Sequence, residues 1–515
     1  MRERTSPNVC FGPWSFGLLF VGVLLYLPVA ILFVHGGVSA APRATLEREV
    51  ESIVRRYGYP LSNVSISAID HRGKVRVSLN GGQPFKPASN MKVVTTAAAL
   101  STLGPDYKFR TELIATSRVE SGKIDGDLIL RGTGDPNISG RFFDGEPTAL
   151  LERWAAALHD QLKLTKVTGD LIVDDSFFDD ELFLSSWKRS QEGRWYSAQV
   201  SPLSFNDNCI DVVIVPAGSV GSRARVEIAP ATAAIQVSGS PKTVGGRRPR
   251  VTIHRKTGTN EITVGGKIGK NAAQMIDYVT VEDPALFFGT VLTEVFKRHG
   301  IVIEGVVRRV LTGEGFYDQN PRKASANTRE GEVLLVSHTS TVKQDLPVVN
   351  KRSQNLHAEI LLKSLGARVV GEGSREAGAT AIREYLTRKN IATDGIEVVD
   401  GSGLSHGNRV SSLLLARVLD SVKSESYYGE FKDSLAIAGK DGTLKRRFKR
   451  YRKLLGRVYG KTGAIAGVSA LSGYLVDEQR VWCFSILVNR FPRKAKSPRD
   501  LQEAIVARLA EAAKS

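Results

Sequence analysis

Phe85-Lys86-Pro87-Ala88-Ser89-Asn90-Met91-Lys92-Val93-Val94-Thr95-Thr96-Ala97-Ala98-Ala99-Leu100 is the stretch on which the fold turns. It predicts a long apolar helix over 89–103, closed by Gly104-Pro105. The three-residue spacing sets Ser89 and Lys92 one turn apart on one face of that helix. A lone serine at a helix start ordinarily caps it. A serine with a lysine one turn away can instead be a nucleophile beside its base.

Upstream, the pattern predicts a helix over 46–56 and strands at 64–69 and 75–79, joined by the turn Asp70-His71-Arg72-Gly73. This reads as the start of a mixed α/β domain. Downstream, from about 106 to 320, short apolar runs at 128–130, 171–173, 212–215, 225–228 and 251–253 are divided by Gly, Asp and Pro, which predicts largely β insertions. A helix is expected at 285–299, and helical periodicity dominates 341–421. Strands follow at 458–459, 470–476 and 481–488, with a closing helix over 499–513. No internal repeat is evident.

Two further short motifs follow Ser89-Asn90-Met91-Lys92 in order: Ser353-Gln354-Asn355 and Lys461-Thr462-Gly463. This ordered set is the one used by penicillin-binding proteins and class A β-lactamases. Each motif alone is weak. Ser-x-x-Lys recurs at Ser185 to Lys188 and at Ser340 to Lys343, Ser-x-Asn at Ser204 to Asn206, and Lys-Thr-Gly at Lys256 to Gly258. Context separates them. Only Ser89 heads a long apolar helix, and Lys256-Thr257-Gly258 lies between two alternating strands as a hairpin turn. Lys461-Thr462-Gly463 has the setting of an edge strand, and Ser353 and Asn355 precede an amphipathic helix.

The chain has 515 residues, 42% of them hydrophobic, enough for two or three domains. Its 71 Lys and Arg outnumber 53 Asp and Glu, a formal charge of +18 that suggests a polyanionic partner. Arg2 and Arg4, an apolar run over 16–34 and the small residues Val38-Ser39-Ala40-Ala41 have the layout of a secretory signal cut after Ala40. Left uncut, the run is long enough to serve as a membrane anchor. Either way an exported, periplasmic or cell-envelope protein is expected, without a nucleic-acid partner. The basic runs 445–453 and 490–496 are then solvated surfaces or contacts with membrane or anionic wall polymer. Cys10 lies before the apolar run, and Cys209 and Cys483 could pair in an oxidising compartment, although two isolated cysteines more often stay separate. The three lack metal-ligand spacing, and no metal or organic cofactor is implied.

Beyond the quoted stretch, Gly126-Asp127-Leu128 through Gly134-Asp135-Pro136, Asp400-Gly401-Ser402-Gly403-Leu404-Ser405 and Gly439-Lys440-Asp441-Gly442-Thr443-Leu444 occur in a characteristic order. From about residue 45 to the C-terminus the chain resembles the D-alanyl-D-alanine carboxypeptidase/endopeptidase family, the class C, type 4 penicillin-binding proteins (peptidase family S13). The resemblance implies a penicillin-recognising, serine β-lactamase/transpeptidase-like core of antiparallel sheet with flanking helices, over 41–105 and 321–515. Two β-rich insertion domains would occupy 106–320. It also implies peptidoglycan stem peptides as substrates and β-lactam antibiotics as covalent inhibitors.

Roles implied by the chemistry and the resemblance together are as follows. Ser89 is the acylated nucleophile. Lys92 is its base, neutral only if burial and a nearby cation such as Lys461 lower a pKa of about 10.4. Ser353 relays a proton to the leaving amine, and Asn355 orients the substrate amide and Lys92. Lys461 and Thr462 hold the terminal carboxylate, Gly463 lets the strand approach, and the N–H groups of Ser89 and Ala464 bind the oxyanion. The family usually carries Ser or Thr where this chain has Ala464. In the first insertion, Asp175 is expected to meet the amino end of the peptide side chain. A β-lactamase would need a dedicated carboxylate base, and no Glu-x-x-x-Asn element supplies one; a non-catalytic sensor of β-lactam or peptidoglycan is the other alternative.

Overall fold

Six antiparallel strands form the central sheet, in the order Ala436–Ile437, Val458–Ile465, Val468–Asp477, Arg480–Asn489, Val64–Ile69, Val75–Leu79. The computed structural model describes residues 41–310, 331–478 and 480–514. The expected N-terminal signal or anchor lies outside them, and no described helix is long and apolar enough to cross a membrane.

One face of the sheet is closed by the first and last helices among the described residues, Ala41–Arg56 and Pro498–Ala512, through Leu46, Val50, Val54, Ile66, Ile486, Leu501 and Ile505. The other face carries the helical layer. At its centre runs the helix Met91–Thr102, whose residues from Met91 to Leu100 are all buried. Val342–Asn350, Asn355–Val369, Arg375–Arg388 and Ser412–Val422 pack around it. A helix without a polar face has no stable place except such an interior.

Between Leu103 and Val342 the chain leaves this core. A five-stranded sheet, ordered Val307–Val310, Leu171–Asp174, Leu128–Gly132, Lys108–Ala115, Val333–Thr341, shares an apolar core with the helices Ala149–Leu162 and Pro284–Arg298. Smaller sheets complete it, among them the three strands Arg225–Ala229, Cys209–Val215 and Met275–Thr280. Two expectations change here. The strand Val333–Thr341 pairs with Lys108–Ala115, so the excursion runs past residue 320. The helix Ala149–Leu162, with Leu150, Leu151, Trp154, Ala155 and Leu158 buried, interrupts a region read as β. Lys256-Thr257-Gly258 does form a hairpin turn, between Arg250–Arg255 and Glu261–Gly269. Cys209 and Cys483 are separate buried thiols.

Candidate active site

Ser89 sits in a single 3-10 turn, Ala88–Asn90, immediately before the buried helix, whose N-cap position is held by Asn90 and not by Ser89. The turn is strained: Ala88 has φ +47, a left-handed backbone that alanine disfavours. Two glycines let neighbouring backbone close on it. A Cβ on Gly403 would lie 1.8 Å from the Ala88 carbonyl oxygen, and one on Gly463 would lie 2.8 Å from Pro87 O and 3.1 Å from Ser89 N. Only glycine at 463 lets the strand Val458–Ile465 run this close to the Ser89 amide.

Lys92, fully buried, donates from Nζ to Ser89 Oγ at 3.2 Å, Asn355 Oδ1 at 2.6 Å and the Ser402 carbonyl at 2.7 Å. Burial lowers its pKa to about 7, against the pull of Glu359 and Asp400 in the opposite direction. Burial is thus the cause of the lowering, and the neighbouring cation invoked from the sequence is not among its causes. An amine that titrates near neutrality is available as a base and, once neutral, can accept the Ser89 proton. Lys461 is also held well below the ordinary lysine value, by burial and then by Lys92. Its Nζ donates to Ser353 Oγ at 2.7 Å and to the Thr462 carbonyl at 2.8 Å.

Ser353 has φ +63, a second strained non-glycine residue at the cleft. Next to it, the Gln354 side chain caps the helix Asn355–Val369 by accepting from Asn355 N at 2.9 Å and donates to Asp207 at 2.9 Å. Asn355 Nδ2 donates to the Tyr196 carbonyl at 2.7 Å, which fixes Asn355 Oδ1 toward Lys92. The fold therefore brings Ser89, Lys92, Ser353, Asn355, Lys461, Thr462, Gly463 and Ala464 to one place. Most of them line a cavity of about 630 Å³, and no carboxylate is among its lining residues.

Asp175 is elsewhere. It is buried, paired with Arg309 at 2.8 Å and hydrogen-bonded by Ser201 at 3.1 Å, outside the cavity lining. Burial pushes its pKa up against Arg309, so its charge already has a structural use.

Several residues essential to this geometry carry no role in the sequence reading. Glu359 is fully buried and accepts from Ser402 N at 2.8 Å, aiming the Ser402 carbonyl at Lys92. Its position one helical turn beyond Asn355 was the available signal. Asp400 ties the same loop together, accepting from Gly403 N at 2.7 Å, Asn408 Nδ2 at 2.8 Å and Trp187 Nε1 at 2.9 Å. Thr443 Oγ1 accepts from Thr462 Oγ1 at 2.8 Å, placing a second hydroxyl beside the strand that carries Ala464. Under the site, Lys461, Ser472, Ser485 and Ser67 lie in register across four strands. Asn90 Nδ2 donates to Ser472 Oγ at 2.6 Å and Ser472 Oγ to Ser485 Oγ at 2.8 Å, a buried polar row that pins the nucleophile turn to the sheet.

The chain is similar to known proteins over most of its length. Residues 60–512 match the model of the D-Ala-D-Ala carboxypeptidase 3 (S13) family. The chain is 33% identical over 502 residues to a D-alanyl-D-alanine carboxypeptidase from Actinomadura sp. (strain R39), covering 94% of this chain and 88% of that protein. It is 24% identical over 425 residues to D-alanyl-D-alanine carboxypeptidase DacB from Haemophilus influenzae, covering 81% and 83%. Among solved structures, penicillin binding protein 4 (dacB) from Haemophilus influenzae superposes with a TM-score of 0.73 at 22% identity, covering 90% of this chain and 98% of that one.

Proposed function

The chain belongs to the D-Ala-D-Ala carboxypeptidase 3 (S13) family, and we propose that it works as a serine D,D-peptidase through an acyl-enzyme on Ser89. The observation that carries the assignment of residues is the Ser89–Lys92–Asn355 contact set around a buried lysine whose pKa is lowered to about 7.

In this reading neutral Lys92 takes the Ser89 proton as Oγ attacks the carbonyl between two D-alanines. The N–H groups of Ser89 and Ala464 hold the oxyanion, each contributing about 3 kcal/mol. Ser353, held by Lys461, relays to the departing amine the proton that Lys92 has taken; the C–N bond breaks, D-alanine leaves, and water then hydrolyses the ester, giving a proton to the again neutral Lys92, which returns it to Ser89 Oγ. Thr462 holds the terminal carboxylate, and the Thr443 hydroxyl beside it stands in for the one that Ala464 lacks. The same acyl-enzyme would serve D-alanyl cross-links, with another stem peptide as the leaving side. With no carboxylate lining the cavity to activate water, a penicilloyl ester should be long-lived, unlike that of a β-lactamase. The substrate lies in the cell wall, so export through the N-terminal segment follows from the same reading.

The test is D-alanine release from a stem pentapeptide ending in D-Ala-D-Ala. Release by the wild type and none by Ser89→Ala supports the assignment; equal release by both removes it.

A further inference from the structure

The active-site cavity shares a wall with a second one. Trp195 and Arg352 line both. The second cavity, about 680 Å³, also takes its lining from the strands Cys209–Val215 and Met275–Thr280 and from Gln354 at the head of the helix Asn355–Val369. Its volume falls within the roughly 300–1,000 Å³ of small-molecule sites, and no step of the reaction uses it.

Its lining pairs aromatic faces with planar hydrogen-bonding groups. Trp195 is 38% exposed and Tyr278 50% exposed. Tyr278 lies directly opposite Asp211 across two antiparallel strands, so ring and carboxylate share a face. Asp207 is held by Arg141 and receives a hydrogen bond from Gln354 at 2.9 Å, while Asp211 accepts from Asn206 at 3.0 Å. The carboxylate of Asp207 is set by three consecutive left-handed residues, Asn206, Asp207 and Asn208, with φ of 48, 55 and 54. Such strain is held where a site demands it. In charge the two arginines, Arg141 and Arg352, balance the two aspartates, Asp207 and Asp211.

A cavity that is neutral overall, with exposed rings beside fixed carboxylate, amide and guanidinium groups, suits an uncharged polyhydroxylated ligand. A pyranose lays its C–H face on an aromatic ring and turns its hydroxyl and N-acetyl groups to planar polar side chains. A charged peptide would call for an excess of one sign. The turn that presents Trp195 also presents the Tyr196 carbonyl that holds Asn355, so the two cavities meet in one short element, Trp195–Ser197.

We propose that the second cavity is a saccharide subsite holding the N-acetylated disaccharide from which the stem peptide hangs, with the peptide crossing the Trp195–Arg352 rim to reach Ser89. The proposal rests on the D,D-peptidase reading of Ser89. The four residues between the sugar and the scissile bond reach about 14 Å when extended, far enough to cross a single shared wall.

The experiment compares D-alanine release from a free stem pentapeptide and from the same pentapeptide carried on its disaccharide, together with calorimetric titration of a peptide-free glycan tetrasaccharide. For the wild type, the disaccharide-linked substrate should show a KM about tenfold lower with kcat unchanged, the scale of one aromatic stacking contact. Tyr278→Ala should remove that advantage and the tetrasaccharide heat while leaving the kinetics on free pentapeptide intact; Tyr278→Phe should retain both. Equal KM values in the wild type, or an advantage that survives Tyr278→Ala, would overturn the proposal. So would a Tyr278-dependent advantage for a sugar-free cross-linked peptide dimer, which would give the cavity to a second stem peptide. If Ser89 is not acylated and the free pentapeptide is not turned over, the peptidase reading fails, and the tetrasaccharide titration alone then decides the cavity.

Discussion

Lys92 and Lys461 occupy one buried neighbourhood, and both are shifted downward mainly because an ammonium there is poorly solvated. The pH dependence of acylation follows from the sign of that shift. Below about pH 7 Lys92 is protonated and cannot accept the Ser89 proton, so the rate constant for acylation by a β-lactam should rise tenfold per pH unit and level off above a midpoint near 7. Stopped-flow acylation across pH 5 to 9 reads this directly, and a flat profile would assign the base to another group. Gly463 allows a geometric test. Gly463→Ala places a methyl carbon 2.8 Å from Pro87 O and 3.1 Å from Ser89 N, so the strand must retreat from the oxyanion position. We expect acylation to fall about 100-fold, the cost of about one oxyanion donor, with unchanged circular dichroism. The three motifs were legible because their chemistry is encoded in residue type and short spacing. The roles of Glu359 and Asp400 were not, since they lie in the groups each meets after folding, Ser402 N for Glu359 and Gly403 N, Asn408 and Trp187 for Asp400.

Where the elements join, Asp207 in the excursion meets His357 in the helix Asn355–Val369 as an ion pair at 3.1 Å. Burial lowers the His357 pKa, but Asp345 and Asp207 outweigh it and raise the value to about 9. A group whose folded value lies above its ordinary 6.5 stabilises fully below pH 6.5, and the contribution is lost as pH rises through 9. The difference in Tm between wild type and His357→Gln should therefore be large at pH 6 and shrink at pH 10; a difference independent of pH would contradict the charged pair. Asp207→Ala leaves Arg141 without its carboxylate and His357 with Asp345 alone, and should cost about 3 kcal/mol, measured by denaturant unfolding. None of this could be read from sequence, because Asp207 and His357 are 150 residues apart. The helix Ala149–Leu162 could have been: its buried residues recur at helical spacing, but the Gly, Asp and Pro of the surrounding loops drew the reading to strands.

At the scale of the molecule, the excess of positive charge is not all free surface. In the run 445–453, Phe448 is fully buried and Arg447 is bonded to Glu503 at 2.5 Å and lines the active cavity. Replacing the exposed Lys445, Arg446, Lys449 and Arg450 by glutamine should leave Tm unchanged, whereas Arg447→Ala should lower stability by about 3 kcal/mol by stranding Glu503. A continuous helix with one solvated face would respond equally to all five. The sheet, the helical layer and the excursion between the first two motifs were legible in outline, since strand alternation and helical periodicity are local. Its exit was not, because Val333–Thr341 joins the inserted sheet by pairing with Lys108–Ala115, a partner more than 200 residues away. The claim on which the rest depends is that Ser89 is the acylated residue of this family member. Intact-mass analysis after incubation with a penicillin, followed by peptide mapping, tests it most directly. The account predicts one penicilloyl adduct on the peptide containing Ser89 and none on Ser89→Ala; an unmodified wild type, or an adduct that persists in the variant, would contradict it.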